Sequence, residues 1–292
     1  MDGASQTFAP THPRAVQTSQ STRRLIVNAD DFGRSHSVNE AVLRAHREGI
    51  LTTTSLMVNE DSAAEAVEMA RVNPSLGVGL HLALTCGTSA LAPSEIPGLV
   101  NDRHQFSDNP VAVGFRYFAN RKLRPQLRDE IGAQFERFHA TGLTLDHVNG
   151  HLNLHLHPVI FAILMENADR WKIRALRVTR DRFRLNARLA GGNWGYRISH
   201  AIIFALLSRR ARPSLRTRGI RHTQTVFGLL QNGNVNEDYA RGLLSCLPPG
   251  DSELYSHPSL DQFKNEFDAL ISPSIKTLIR ESGIRLIRYQ DL

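Results

Sequence analysis

Two adjacent carboxylates, Asp30 and Asp31, follow an apolar run at 25–27 and come just before Gly33. Such a run predicts a buried strand that ends in a turn, with both acids at its C-terminal end. In α/β folds this end of the sheet borders a shared crevice, where one acid can hold a metal ion while its neighbour handles a proton. The competing interpretation is structural, with the two acids making an Asx turn or capping the next helix.

Histidine is concentrated in the segment 145–158, which holds four of the thirteen histidines of the chain. Period-two alternation places four residues on one face of a strand predicted here: Leu145, His147, Asn149 and His151. A polar loop that faces solvent is the alternative interpretation. One further histidine, His81, lies in an apolar strand predicted over 76–84, where a lone histidine is more often a core residue than a ligand.

Strand patterns alternate with helix patterns along the chain, which predicts an α/β fold with a mainly parallel sheet or barrel of about seven strands. The other strands are expected at 24–28, 52–58, 175–178, 223–229, 253–255 and 284–289. The helices are expected at 35–48, 62–72, 125–141, 159–171, 235–246 and 260–281, with 85–124 irregular. Polar residues recur just past the strand ends, as expected of a barrel-like α/β enzyme: Asp30, Asp31, His81, His151, Arg180 and His257.

A carboxylate and two histidines from three separate strand ends are a good ligand set for a divalent metal ion, with positions left open for water and substrate. The spacing does not choose the metal. The same set also suits non-haem iron oxygenases, so the ligands alone do not fix the reaction.

Four motifs occur in order between residues 24 and 257. They are NADDFG at 28–33, GLH at 79–81, DHVNGH at 146–151 continuing to His155, and SHP at 256–258. Together they resemble the successive motifs of the YdjC-like carbohydrate deacetylases. Three further stretches, APSEIP at 92–97, VGFRYF at 113–118 and the run LDHVNGH at 145–151, look like the hopanoid-biosynthesis-associated members of that family.

The resemblance implies a distorted (β/α) barrel of the polysaccharide-deacetylase type. It also implies that Asp31, His81 and His151 hold one divalent ion, Mg²⁺ or Zn²⁺. Asp30 matches the family's catalytic base, and His257 matches its C-terminal motif histidine. Many members carry aspartate where this chain has Asn149, which leaves the three ligands intact.

The chemistry implied is hydrolysis of an N-acetyl group on a glucosamine-type sugar, and the subgroup points to the N-acetylglucosaminyl head of a hopanoid lipid. Asp30 accepts a proton from water and His257 protonates the amine, with His155 as the competing acid. The roles of Asp30 and Asp31 could be exchanged. We expect His155 and Arg180 to contact the substrate.

The net charge of +7 comes from one segment, because 182–236 carries ten arginines and no acidic residue. We treat 182–222 as a basic insertion in a single deacetylase domain at 23–292. Its apolar run at 200–208 is too short to span a bilayer. A packed helix with a solvated basic end is the structural interpretation. The functional hypothesis is that 197–222 contacts anionic lipid and admits a lipid-linked sugar.

Residues 1–22 lack an apolar run and are expected to form a disordered leader, neither a signal peptide nor a membrane anchor. Two cysteines far apart, Cys86 and Cys246, indicate no disulfide framework. We therefore expect a cytoplasmic protein, peripheral to the inner face of the membrane if the lipid hypothesis holds. Two alternatives remain: a deacetylase of soluble chitooligosaccharides, and a basic membrane-surface or nucleic-acid binding module without catalysis. The second leaves the ordered motifs unexplained, so no nucleic acid is expected.

Overall fold

A parallel sheet of seven strands forms the centre of the computed structural model, which describes residues 22–292. The strands are β1 (Arg23–Phe32), β2 (Thr53–Leu56), β3 (Gly77–Leu82), β4 (Leu145–Gly150), β5 (Thr225–Phe227), β6 (Gly250–Ser256) and β7 (Arg285–Leu286). Apart from Thr22, the leader expected at 1–22 lies outside the described residues. The α/β class and the strand number predicted from the sequence are confirmed.

The sheet runs in the order β4-β3-β2-β1-β6-β5, and β7 pairs with the beginning of β1. The segment expected as a strand at 175–178 forms isolated parallel bridges instead of a full ladder. Leu176 bridges to Val148 on β4, and Ala175 bridges to Arg221 ahead of β5. Because this segment contacts both edges of the sheet, the sheet curls into a distorted barrel.

Ten helices surround the sheet within the described part of the chain. They are α1 (His36–Glu48), α2 (Ala63–Arg71), α3 (Pro110–Ala119), α4 (Arg124–Ala140), α5 (Pro158–Glu166), α6 (Phe183–Leu189), α7 (Trp194–Thr217), α8 (Glu237–Ser245), α9 (Lys264–Ile271) and α10 (Pro273–Glu281). The prediction of a single helix over 260–281 is wrong, because Ser272 takes an extended conformation and caps a separate helix, α10, ahead of Pro273. The region 85–124 is not wholly irregular, since it contains α3.

The alternation of β1 decides which side chains meet inside the barrel. Leu25, Val27 and Ala29 pack with the main core under the helices. Ile26 packs instead with Ala175, Ile287 and Tyr289. Because successive side chains of a strand point to opposite faces, Asn28 and Asp30 continue the face of Ile26 into the barrel.

The end of β1 is irregular, and this irregularity sets the position of Asp31. Pairing with β2 shifts register between Ala29 and Phe32, and Asp31 has a φ of +66°. Neither acid caps the following helix, because the side chain of Ser35 accepts the hydrogen bond from the backbone N–H of Val38. A non-glycine residue in this conformation is uncommon and often marks a functional position.

Gly49 allows α1 to approach the end of α9, and we predict that Gly49→Ala destabilises the protein. A Cβ at Gly49 would lie 2.3 Å from the carbonyl oxygen of Leu270. We expect the free energy of unfolding in urea to fall by about 1–3 kcal/mol, as for other overpacked sites. The control is Gly132→Ala in α4, where the nearest heavy atom is 3.8 Å away. It should raise that free energy by about 0.5–1 kcal/mol. Equal stability of the two variants would contradict this packing.

Candidate active site

Asp31, His81 and His151 come together at the carboxyl end of the sheet and form a compact group of potential metal ligands. All three are buried, and their donor atoms lie within 4.8 Å of one another. Asp31 Oδ1 is 3.0 Å from His151 Nδ1 and 3.2 Å from His81 Nε2. Although burial opposes its charge, the two imidazoles hold the pKa of Asp31 well below its usual range. The structure thus places Asp31, and not Asp30, between the histidines.

The orientation of His81 suits metal binding. Its Nδ1–H donates to Asn149 Oδ1 over 2.7 Å, which leaves the lone pair on Nε2 directed at Asp31. That Nε2 atom is buried and has no hydrogen-bond partner. A buried nitrogen lone pair without a donor is costly, and a divalent cation would satisfy it. Two imidazoles and one carboxylate therefore fit a divalent ion, with open positions for other ligands.

Asp30 lies beside this group, but its carboxylate oxygens accept hydrogen bonds from other residues. Both carboxylate oxygens are bonded by Arg177, at 2.7 and 2.9 Å. Oδ1 also accepts hydrogen bonds from the amides of Asn28 and Asn149. Burial disfavours the charged form, yet Arg177 and His81 keep the pKa of Asp30 well below its usual range. Asp30 is therefore an ionised carboxylate fixed in one orientation.

The sequence analysis did not identify Arg177, which is fully buried at the centre of the barrel. It also forms an ion pair of 2.7 Å with Glu253, and its guanidinium lies 4.2 Å from the centre of the Tyr255 ring. Despite burial, Asp30 and Glu253 raise the pKa of Arg177 well above its ordinary value. The only signal in the sequence was an arginine inside an apolar strand pattern at 175–178.

His257 lies across from Asp30. Its Nε2 is 4.0 Å from Asp30 Oδ2, and its Nδ1 is 3.8 Å from Glu266 Oε2. Burial opposes the charged imidazolium, but Glu266 and the carboxylates of Asp31 and Asp30 outweigh burial and raise the pKa of His257 to about 9. His257 is therefore protonated at neutral pH and can donate a proton.

The two residues expected to contact substrate lie elsewhere. His155 is fully buried, and its Nε2–H donates to the carbonyl of Arg177 over 3.0 Å. Burial lowers the pKa of His155 to about 3, so it is neutral. Arg180 is exposed, and neither residue lines the cavity above Asp30. Substrate contact by His155 and Arg180 stays a prediction that this arrangement does not favour.

A cavity of about 410 Å³ opens above Asp30 and His257. The segments 85–124 and 182–222 both contribute to its wall, since Val111 comes from α3 and Ile203 and Phe204 come from α7. Leu152 and Asn153 reach the cavity from the turn after β4, where both have positive φ. Asp30 and His257 lie at one end of the cavity, and most of the remaining wall is apolar.

The chain matches the family model described as YdjC-like protein over residues 24–281. The chain belongs to the YdjC-like family. This YdjC-like chain is 37% identical over 153 residues to a carbohydrate deacetylase of Brevibacillus brevis and 39% identical over 161 residues to one of Geobacillus stearothermophilus. These matches cover 51% and 54% of the chain, and only 57% and 62% of the relatives' own lengths.

Two longer matches span nearly the whole YdjC-like chain. A carbohydrate deacetylase of Thermoanaerobacter pseudethanolicus is 25% identical over 280 residues, which is 92% of this chain and 98% of that protein. An Enterococcus faecalis protein named for cellobiose-phosphate cleavage superposes with a TM-score of 0.72 at 23% identity, covering 93% of this chain and 99% of that one. The structural match supports the fold alone.

Zn²⁺ affinity should depend on the group Asp31, His81 and His151 and on the amide that orients His81. We predict that Asn149→Leu weakens Zn²⁺ binding about 10- to 100-fold, because His81 Nδ1 loses its acceptor. His81→Gln should weaken it further. Isothermal titration calorimetry measures both, with His157→Gln, a cavity histidine outside the group, as the control. Wild-type affinity in His81→Gln would exclude this site.

The charge of His257 should be visible by NMR in the metal-free protein. We expect its ring resonances to titrate near pH 9, and Glu266→Gln to move that titration downward because one neighbouring carboxylate is removed. A histidine whose pKa is higher in the folded than in the unfolded protein contributes its full stabilisation at pH values below its unfolded-state pKa of about 6.5. This stabilisation is then lost as the pH rises through about 9. The stability difference between wild type and His257→Asn should shrink over that window, and a constant difference would contradict the assignment.

Proposed function

We propose that this chain is a metal-dependent hydrolase that removes the N-acetyl group from a glucosamine-type sugar. The observation that carries the proposal is the pair of Asp30 and His257 at the end of one cavity, an ionised carboxylate and a protonated imidazole 4.0 Å apart. One of the three potential metal ligands, Asp31, follows Asp30 directly in β1. Relatives named carbohydrate deacetylases support the same reaction class.

Each group has a distinct task in this proposal. Asp31, His81 and His151 would hold a divalent ion, Mg²⁺ or Zn²⁺, which would supply Lewis-acid polarisation of the acetyl carbonyl and a lower pKa of water. Asp30 Oδ2 accepts a proton as the water oxygen attacks the carbonyl carbon. His257 Nε2 donates its proton to the amide nitrogen as the C–N bond breaks. The products are acetic acid and the amine, which ionise to acetate and an ammonium group, and transfer of a proton from Asp30 to His257 restores both residues.

We propose a lipid-linked sugar as the substrate, specifically the N-acetylglucosaminyl head of a hopanoid. The apolar wall of the cavity supports this choice, because a sugar alone would leave Val111, Leu152 and Ile203 uncovered. The proposal includes peripheral contact with anionic membrane through 197–222, at the inner face of the membrane. No helix of the described residues is long and apolar enough to cross a bilayer.

The second candidate is deacetylation of soluble chitooligosaccharides. A polar cavity of about 630 Å³ favours it, because this cavity shares Tyr196 and Asn232 with the apolar one. Asparagine and tyrosine side chains of this kind can bind the hydroxyl groups of a second sugar residue.

The test is acetate release from the N-acetylglucosaminyl hopanoid and from diacetylchitobiose, with and without a chelator. We expect chelator-sensitive release that falls at least about 100-fold in Asp30→Asn, the lower range for loss of a general base. Asp169→Asn, at an exposed site, is the matched control. Release from diacetylchitobiose alone would move the substrate to soluble oligosaccharides. No release from either substrate with metal bound would overturn the proposed reaction.

A further inference from the structure

Exposed large hydrophobic side chains are concentrated on one part of the described surface. The described residues include ten exposed large hydrophobic side chains, and nine of them belong to α3, α7 or the turn after β4. The tenth, Val72, lies at the end of α2. Soluble proteins seldom expose so many large apolar side chains together unless the surface binds something apolar.

The helical periodicity shows that these side chains form continuous stripes. On α3, Val111, Phe115 and Phe118 recur at helical spacing, while Val113 and Tyr117 face the core. On α7, Trp194, Ile198, Ile202 and Leu206 recur every fourth residue, and the buried side is formed by other positions. The two helices also contribute Val111 and Ile203 to the wall of the active-site cavity. The stripes therefore flank the entrance to that cavity, and we name them together the apolar rim.

A basic groove adjoins the apolar rim. A third cavity, of about 550 Å³, is lined by Phe118 of the rim together with Arg121, Arg124 and Arg210, and no acidic residue lines it. Arg124 is paired with Glu166, but Arg121 and Arg210 make no salt bridge within residues 22–292. Arginine presents a planar fork of N–H donors that suits phosphate oxygens.

We propose that the apolar rim and the basic groove together form a docking surface for an anionic phospholipid bilayer. Side chains such as Phe115 and Leu206 enter the acyl boundary, while Arg121 and Arg210 bind lipid phosphates. Charge favours this occupant over a second copy of the chain, because each copy would bring the same unpaired arginines to the interface. The inference rests on the proposed lipid-linked substrate, since docking in this orientation turns the active-site cavity toward the membrane.

Co-sedimentation with vesicles tests the surface. The vesicles contain equal parts of phosphatidylcholine and phosphatidylglycerol, compared with phosphatidylcholine alone. We expect the double variant Phe115→Ser/Leu206→Ser to bind at least tenfold more weakly than wild type. The two side chains are 73% and 63% exposed, and neither lines a cavity that we describe, so folding should be unaffected. Val72→Ser, a site that is 70% exposed, is the control and should bind as wild type does.

The basic groove is tested separately by Arg121→Gln/Arg210→Gln. This variant should lose most of its preference for phosphatidylglycerol. Arg280→Gln/Arg285→Gln, which removes the same charge from exposed positions outside the groove, should retain the preference. An equal loss of the phosphatidylglycerol preference in both double variants would show a nonspecific charge effect and would overturn the assignment of the basic groove to lipid phosphates.

Acetate release from diacetylchitobiose separates this inference from the proposed function. We expect the rim and groove variants to keep wild-type release while vesicle binding falls. Vesicle binding without any deacetylation would support the docking surface and refute the enzyme assignment. Wild-type protein that stays in solution would overturn the docking surface. So would a wild-type dimer in sedimentation velocity that Phe115→Ser/Leu206→Ser converts to a monomer.

Discussion

The buried ion pairs of Arg177 join the three parts of the barrel that form the candidate active site. The guanidinium bridges Asp30 on β1 and Glu253 on β6, while its own backbone belongs to the segment that closes the sheet. The hydroxyl of Tyr289 donates to the second oxygen of Glu253, which extends the network to the end of the chain. Removing one member of a buried charge network typically lowers the free energy of unfolding by about 3–5 kcal/mol, because the charge of its partner is left uncompensated.

The same network separates the tasks of two neighbouring carboxylates. Asp30 and Asp31 are adjacent in sequence, yet the alternation of β1 and the positive φ of Asp31 send them to different partners. Arg177 compensates the charge of Asp30, whereas Asp31 faces the two histidines through Oδ1 and pairs with Arg34 through Oδ2. Asn149 fits between the two groups because an amide can donate to Asp30 and accept from His81 at once. An aspartate at 149 would face Asp30 with like charge.

The sequence predicted those parts of the structure that local patterns encode. Apolar strands followed by polar residues were sufficient to predict the parallel fold, and the resemblance to the YdjC-like family selected Asp31, His81 and His151 as the group at its carboxyl edge. Arg177 was missed because its partners are remote in the chain and no local spacing marks them. The division between α9 and α10 depends on one residue, Ser272, and α3 lies in a region rich in turn-forming residues. The exposure of Arg180 likewise depends on tertiary packing that periodicity does not report.

The pairing of β1 also has a consequence for biogenesis. Its neighbours include β6 and β7, which are the last two strands within residues 22–292, and Gly250 and Arg285 pair with residues 23 and 24. During synthesis the apolar β1 emerges before these partners and stays unpaired along one edge until they follow. Pairing between strands that are remote in sequence slows folding, and it leaves the unpaired edge of an apolar strand accessible to chaperones. Because Asp30 and Arg177 precede Glu253 in the chain, the network around Arg177 can assemble only after β6 has emerged.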